Sequence, residues 1–228
     1  MTDFRNALLT STVALVALLT VSAAFAQRVQ ETQQGDLAKI DIVEHLGDTI
    51  PMDLSFTSDE GQPVTLNDYF NKGKPVIVVL GYYQCPMLCN LVFNGLSEGV
   101  KGLGWTPGDR FEMVMVSINP RETAQLAAAK KANYVKQLGN PDAAKGWHFL
   151  VGDSVMSARL ADAIGFKYFY DAENKQYAHP AAAYVLTEKG VISRYLYGIQ
   201  FSPRDLKLSL LEASDGKIGS TADRLILY

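Results

Sequence analysis

The cysteines of this chain are confined to one short stretch, GYYQCPMLCNLV at residues 81–92. Cys85 and Cys89 are the only two, and three residues separate them. A continuous apolar run at residues 75–83 precedes them and predicts a strand that is covered on both faces. The apolar spacing after them predicts a helix over residues 90–103. The thiols are therefore expected at a helix N-terminus, where the helix dipole and free N–H groups favour thiolate over thiol.

Three roles for this thiol pair follow from its spacing. A structural disulfide needs Cβ atoms about 3.5–4.5 Å apart, whereas residues four apart on a regular helix hold theirs about 5–6 Å apart. A bridge would therefore require an irregular first turn at Pro86. A thioredoxin-type redox pair fits the position, but such pairs usually have two intervening residues. Two thiolates on one face would also hold a soft metal such as Cu(I) or zinc. The spacing disfavours the plain disulfide and leaves redox chemistry and metal binding open.

A metal would take further ligands, and the chain has three histidines, His45, His148 and His179. His148 lies inside a predicted strand between two aromatic residues, and His45 lies in the polar segment near the N-terminus, so structural positions explain both. His179 stands in a loop directly before a predicted strand, and such loops face the site at the strand ends of a doubly covered sheet. It is the favoured third ligand. Met87, between the cysteines, is more typical of packing than of coordination.

The start of the sequence indicates export. Arg5 and the terminal amine precede an apolar run at residues 13–21, and Ala24-Phe25-Ala26 forms an A-x-A cleavage site. This layout is that of a secretory signal peptide, and the alternative is an uncleaved anchor, for which the run is short. An exported chain reaches a compartment where disulfides can form. The net charge of −3, without a basic stripe, argues against nucleic acid as a partner.

Strands and helices are mixed along the rest of the chain. Alternating apolar residues on either side of Asp59-Glu60-Gly61 predict a β-hairpin within residues 53–70. The remaining predicted elements are strands at residues 111–119 and 148–152, a hairpin at residues 182–198, and helices at residues 38–46, 121–138, 154–164 and 202–211. Their order indicates an α/β sandwich with a mostly parallel centre. We divide the chain into a signal peptide (1–26), a lead-in segment (27–50), one domain (51–213) and a C-terminal tail (214–228).

Four stretches together resemble the Sco/SenC family of copper-handling proteins. They are GYYQCPMLC, MVSINPRE, WHFLVGDSVMSARLADAIGFKY, and the segment that runs from His179 through YVLTEKGVISRYLYG to FSPRDL. The most specific part is the Cys-Pro-x-x-Cys motif after an apolar strand, with a lone histidine far downstream. The resemblance extends over residues 54–211, which is most of the chain that follows the predicted leader.

The resemblance implies a thioredoxin-like fold of the α/β class, located outside the cytoplasm. The hairpin predicted within residues 53–70 would be an N-terminal extension of that fold, and the predicted signal peptide makes the periplasm the expected compartment. It implies that one copper ion, Cu(I) or Cu(II), is bound by Cys85, Cys89 and His179. The implied function is a chaperone that delivers copper to the dinuclear copper site of cytochrome c oxidase during its assembly. The copper-accepting subunit of the oxidase and other copper chaperones are then the expected partners. The alternative is an enzyme, a thiol–disulfide reductase that uses Cys85 and Cys89 to keep the cysteines of that site reduced.

Three positions depart from the family's pattern. Ala178 stands where an acidic residue usually precedes the ligand histidine, Gln84 stands where Thr commonly precedes the first cysteine, and Asn119-Pro120 replaces Asp-Pro. The first change removes a carboxylate that could orient or charge-balance the metal site. The apolar end of the chain, ADRLILY, is typical of an interrupted strand. We therefore expect membrane attachment only through an uncleaved signal or a missing C-terminal segment.

Overall fold

The structure is a computed structural model that describes residues 39–85 and 88–219. The predicted signal peptide, Pro86, Met87 and the last nine residues of the predicted tail (220–228) lie outside the described residues. One compact unit begins at Asp41, and every element given below belongs to it. None of the described helices is both long and apolar enough to cross a lipid bilayer.

Most of the described strands form a single mixed sheet. In chain order the described strands are β1 (Asp41–Ile42), β2 (Ser55–Ser58), β3 (Pro63–Thr65), β4 (Val76–Gly81), β5 (Glu112–Ser117), β6 (Trp147–Val151), β7 (Phe166–Lys167), β8 (Phe169–Asp171), β9 (Gln176–Ala178), β10 (Ala182–Leu186) and β11 (Ile192–Tyr197). The central sheet has the order β11–β10–β4–β5–β6–β2–β3. Strands β4, β5 and β6 run parallel, and the other neighbours pair antiparallel. The pairs β1–β7 and β8–β9 are separate two-stranded ribbons.

The two central strands, β4 and β5, are buried along their whole length. Every residue of β4 (VIVVLG) and of β5 (EMVMVS) is buried. Runs of β-branched and other apolar residues suit a pleated surface that is covered on both faces. The parallel register pairs Gly81 with Ser117. The carboxyl ends of β4 and β5 therefore lie side by side, and the segments that leave them share one edge of the sheet.

Four α-helices of the described chain accompany the sheet: α1 (Leu88–Leu103), α2 (Ala124–Leu138), α3 (Ser154–Ile164) and α4 (Pro203–Ser214), with 3-10 helices at Leu66–Tyr69 and Pro141–Lys145. The ends of α3 are set by local sequence. The Asp153 carboxylate accepts hydrogen bonds from the N–H groups of Val155 and Met156, both at 2.8 Å, as an N-cap does. Gly165 closes the helix in the left-handed region, at φ 77°, which favours glycine. The predicted bounds of this helix are confirmed.

The helices cover both faces of the sheet. Consecutive residues of a strand point to opposite faces, and in β11 the Arg194 guanidinium contacts Glu212 of α4 at 2.7 Å. The next residue, Tyr195, donates its hydroxyl to the carbonyl of Ile164 at the end of α3, at 2.8 Å. Helices α3 and α4 therefore lie on opposite faces, which gives the three layers expected of an α/β sandwich.

The predicted hairpins are confirmed as β2–β3 and β10–β11, and three strands are parallel at the centre as expected. The predicted helix at residues 38–46 is wrong for the residues described there. Asp41 and Ile42 instead pair with β7, and the Val43 N–H donates to the carbonyl of Gly165 at 2.8 Å. Tertiary pairing with a partner more than a hundred residues away overrides the weak helical spacing of a short segment.

Candidate metal centre

The turn that follows β4 carries the first cysteine. Strand β4 ends at Gly81, and the Cys85 N–H donates to the Tyr82 carbonyl at 3.3 Å, which closes a tight turn. Helix α1 begins at Leu88, and its Cys89 N–H donates to Cys85 Sγ at 3.3 Å. A free N–H group of the first helical turn thus points at a sulfur atom, where it stabilises negative charge.

The second cysteine lies in the first turn of α1, packed against the end of the strand. The Tyr82 N–H donates to Cys89 Sγ at 3.4 Å. A Cβ atom added to Gly81 would lie 3.3 Å from Cys89 Sγ and 3.3 Å from the Phe93 ring. The absence of a side chain at Gly81 lets Cys89 approach the strand closely. Cys89 is 1% exposed and Cys85 is 6% exposed, and no disulfide joins the two.

His179, the favoured third ligand, lies beside the cysteine sulfur atoms although it is far from them in the sequence. His179 lies between β9 and β10, is 5% exposed, and its Nε2 is 2.8 Å from Cys89 Sγ. Its Nδ1 is 2.8 Å from the Pro180 carbonyl oxygen. Because a carbonyl oxygen only accepts, Nδ1 carries the proton and Nε2 presents its lone pair to the sulfur. This second hydrogen bond fixes the tautomer, as it does for histidines that ligate metals.

The donor atoms of Cys85, Cys89 and His179 all lie within 4.8 Å of one another, and no other such group of three or more occurs in the part of the chain that the structure describes. Metal–sulfur bonds of about 2.3 Å and metal–nitrogen bonds of about 2.0 Å place two donors at most about 4.6 Å apart. Small side-chain shifts therefore suffice for all three to bind one ion. Two sulfurs and one imidazole are soft and borderline donors, which suit copper and zinc.

Burial raises the pKa of the Cys89 thiol well above its ordinary range, and the neighbouring Cys85 sulfur adds to this, while the Tyr82 N–H acts in the opposite direction. The helix N-terminus therefore does not activate the Cys89 thiol, and the expectation that it activates at least one of the two thiols stays a prediction for Cys85. Desolvation outweighs the helix dipole at a sulfur that is 1% exposed. The protonated thiol instead donates to His179 Nε2, and a metal ion would replace that proton.

A buried carboxylate that sequence reasoning missed holds the turn before Cys85. Glu122 is 7% exposed and follows β5. Its carboxylate accepts hydrogen bonds from the N–H groups of Tyr83 and Gln84, both at 2.8 Å, and from the Ser117 hydroxyl at 2.6 Å. The signal available in the sequence was its place just after a strand parallel to β4, because the segments leaving such strands meet at one edge.

Aromatic rings surround the histidine. Tyr82 contacts the His179 ring edge-on at 6.0 Å, and Phe166 lies 5.7 Å from it. Tyr177, in the β8–β9 ribbon, contacts Tyr82 at 5.7 Å. These rings exclude water from the imidazole and limit its movement, so that Nε2 stays directed at the sulfur atoms.

The other two histidines lie away from these donors. His148 Nε2 is 2.9 Å from the Glu112 carboxylate, and its ring packs on Tyr69 at 4.4 Å. His45 Nδ1 is 3.0 Å from the Ala163 carbonyl oxygen. Both therefore have structural partners, as their sequence positions indicated. Met87 lies outside the described residues.

Comparison with models of protein families identifies one family. The family model described as SCO1/SenC matches residues 44–210, whereas comparison with curated proteins gives no match. Among solved structures, a putative electron transfer protein from Aquifex aeolicus VF5 is 25% identical with a TM-score of 0.64, over 75% of this chain and 95% of that one. Arabidopsis thaliana ScoI, solved with copper bound, is 20% identical with a TM-score of 0.57, over 75% and 99%.

A third similar structure is BsSco, described as a member of the Sco family of cytochrome c oxidase assembly proteins in which a disulfide switch was identified. It is 17% identical, with a TM-score of 0.57, over 77% of this chain and 99% of that one. These likenesses confirm the thioredoxin-like fold. The family match spans the sheet, the helices and the three converging donors. This chain therefore belongs to the SCO1/SenC family.

Proposed function

We propose that this protein is a copper chaperone that works outside the cytoplasm. It binds one copper ion through Cys85, Cys89 and His179 and delivers it to the dinuclear copper site of cytochrome c oxidase during assembly of that enzyme. Copper is the cargo, and the copper-accepting subunit of the oxidase is the partner.

One observation carries this proposal: an imidazole nitrogen that carries no proton lies 2.8 Å from one of two neighbouring thiols. The Pro180 carbonyl holds the proton on Nδ1, so Nε2 is available as a ligand without any change of tautomer. The two sulfurs supply the soft donors that Cu(I) prefers, and the nitrogen supplies the donor that Cu(II) favours beside sulfur. A redox pair of thiols has no need of such a nitrogen.

The relatives support copper as the cargo and the oxidase as the recipient. Arabidopsis thaliana ScoI was solved with copper bound, and BsSco belongs to a family of cytochrome c oxidase assembly proteins. The predicted signal peptide supports export to the periplasm, where such a recipient would be met. We therefore extend the cargo, the recipient and the compartment to this chain.

Release of the ion follows from the burial of its ligands. Cys89 is 1% exposed, whereas Cys85 is 6% exposed and His179 is 5% exposed. An incoming thiol of the recipient would therefore displace Cys85 or His179 before Cys89. Stepwise exchange of one ligand for another lets the copper ion pass between proteins without entering water as a free ion.

A second candidate is a thiol–disulfide reductase, which is favoured by the proximity of two cysteines that are not joined by a disulfide. Oxidation of Cys85 and Cys89 to a disulfide releases two electrons and two protons. These would convert a disulfide of the recipient site into two thiols. In that mechanism Cys85 would make the attack, because it is 6% exposed against 1% for Cys89 and is the more accessible sulfur.

His179→Ala distinguishes the two functions, with His45→Ala as a matched substitution away from the donors and Cys85→Ser as the variant that should fail under both. We expect His179→Ala to retain most Cu(I) binding, to lose tight Cu(II) binding and its thiolate charge-transfer colour, and to leave oxidase assembly in cells deficient. His45→Ala should behave as the wild type. Normal assembly with His179→Ala would reject copper delivery and favour the reductase.

A further inference from the structure

A lysine ammonium lies one side chain away from the predicted ligands. Lys130, on α2, donates from Nζ to Asn90 Oδ1 at 2.6 Å. Asn90, on α1, donates in turn from Nδ2 to the Cys85 carbonyl oxygen at 2.8 Å. The positive charge is therefore held against the cysteine turn by a continuous pair of hydrogen bonds.

This lysine has no ion-pair partner among the described residues. No described carboxylate lies within 4.0 Å of its Nζ, whereas its neighbour Lys131 pairs with Asp59 at 2.9 Å. Lys130 is half-buried and lies over the ring of Tyr134, 5.9 Å from its centroid. Burial lowers the pKa of the Lys130 ammonium, while negative charge on Cys89 and Cys85 acts in the opposite direction. A partly desolvated cation without a carboxylate is stabilised by a nearby site that gains negative charge.

The nearest competing anion is already engaged. Glu122 also acts on the Lys130 ammonium, but its two oxygens accept from the N–H groups of Tyr83 and Gln84 and from the Ser117 hydroxyl. Three donors thus spread the Glu122 charge over the turn. Glu122 keeps its charge whichever copper ion is bound, so the charge near Lys130 that differs between the two states is that of the thiolates together with their copper ion.

The net charge of the metal site depends on the oxidation state of the copper ion. Two thiolates and a neutral imidazole carry a charge of −2, so the site is −1 with Cu(I) and neutral with Cu(II). We propose that Lys130 is the counter-charge that makes this site prefer Cu(I) over Cu(II), an inference that rests on the copper-binding function proposed above. The ammonium attracts the anionic Cu(I) site and has no net attraction to the neutral Cu(II) site. Ala178 also favours Cu(I), because this position, directly before the histidine, carries no carboxylate that would repel the anionic Cu(I) site.

The size of this preference can be estimated from the Coulomb attraction between the Lys130 ammonium and the charge of −1 on the Cu(I) site. Asn90 separates the two charges, and we take an effective dielectric constant of about 20. Removal of the charge should lower the ratio of Cu(I) affinity to Cu(II) affinity by about tenfold. For a one-electron couple this corresponds to a fall of about 59 mV in the reduction potential of the bound copper. The ratio does not depend on the protonation of the metal-free thiols, because that state is common to both affinities.

The test uses the full chain with Lys130→Met, which keeps an unbranched apolar stem, and with Lys130→Gln as a second neutral variant. Lys130→Arg keeps the charge. Lys136→Met removes an exposed lysine from the same helix. Dissociation constants are measured with Cu(I) and with Cu(II) against competing chelators. We expect both neutral variants to lower the Cu(I)-to-Cu(II) affinity ratio about tenfold, and Lys130→Arg and Lys136→Met to leave it within about threefold of the wild type.

Either of two results would overturn the inference. If a neutral Lys130 variant binds copper with an unchanged affinity ratio, or if Lys130→Arg changes the ratio as much as Lys130→Met does, the charge is not the determinant. Both of these results leave the proposed function standing. A wild-type protein that binds neither copper ion at these residues overturns the inference and the proposed function together.

Discussion

Glu122→Gln tests whether the carboxylate beneath the cysteine turn holds that turn in place. The two side chains have the same shape, but the amide has only one acceptor oxygen. In the wild type one carboxylate oxygen accepts from the Gln84 N–H, and the other accepts from the Tyr83 N–H and the Ser117 hydroxyl. Whichever way the amide turns, at least one backbone N–H group faces an NH₂ group and loses its acceptor.

The loss of one hydrogen bond to a charged group costs about 1.5–3 kcal/mol. The hydrogen bonds that remain become weaker because they now end on a neutral oxygen. We therefore expect the free energy of unfolding to fall by about 2–4 kcal/mol, as measured by urea denaturation of the reduced, metal-free protein. Copper affinity should fall by about 10–100-fold, the usual cost of losing a group that orients metal ligands.

Ser117→Ala is the matched control, because it removes one donor to Glu122 and leaves both backbone N–H groups bonded. It should keep copper affinity within about threefold of the wild type. If Glu122→Gln unfolds at the wild-type urea concentration and binds copper with wild-type affinity, then Glu122 does not position the turn.

Two further predictions concern the acid stability of the sheet and the seating of α1. Burial alone would raise the pKa of the Glu112 carboxyl, but the hydrogen bond and charge of His148, followed by Lys72 and Lys74, hold it below its ordinary value. The ionised Glu112 carboxylate contributes its full share of the free energy of unfolding above the ordinary glutamate pKa of about 4.3, and this share is lost as the pH falls through the lowered pKa of the folded state. Glu112→Gln lacks this contribution, so its free energy of unfolding should fall less steeply than that of the wild type as the pH is lowered. A Cβ atom added to Gly95 would lie 1.9 Å from the Ile199 carbonyl oxygen, so Gly95→Ala should lose about 1–3 kcal/mol or more in urea unfolding, whereas Asn94→Ala on the exposed face of α1 should not. An acid profile for Glu112→Gln identical to that of the wild type, or a Gly95→Ala protein of wild-type stability, would contradict the respective contact.

The cysteine turn could be predicted because its signals are local. A short unbroken run rich in β-branched residues favours a strand covered on both faces, and the apolar spacing after it predicts a helix. Cys85 and Cys89 therefore had to lie where β4 passes into α1. The end of α3 was equally predictable, because Asp153 and Gly165 act within their own turns.

The histidine was predictable only in part. Its place before a strand favoured His179 over His45 and His148, but nothing in the sequence gives the 2.8 Å approach to Cys89 or the tautomer that Pro180 sets. These depend on how two segments ninety residues apart are folded together. The raised pKa of Cys89 also could not be predicted from local sequence, because it results from burial by neighbouring elements.

Other features gave no usable local signal. The β8–β9 ribbon, which leads directly to His179, turns through Lys175 at φ 54°, a conformation that sequence patterns assign to glycine or asparagine. Glu122 and Lys130 look like ordinary residues at the start and on the face of a helix. The contact of Glu122 with Tyr83 requires β5 to pair beside β4, and the contact of Lys130 with Asn90 requires α2 to pack beside α1.

The coordination shell of the bound metal tests the central claim most directly. The full chain is loaded with one equivalent of Cu(I) under conditions that keep the thiols reduced, and X-ray absorption at the copper edge gives the number and type of ligand atoms. We predict one copper ion per chain bound by two sulfurs and one imidazole nitrogen, with the nitrogen lost in His179→Ala and one sulfur lost in Cys85→Ser. A shell of nitrogen and oxygen alone, or a shell that is the same in the wild type and in both variants, would contradict the three-ligand copper site.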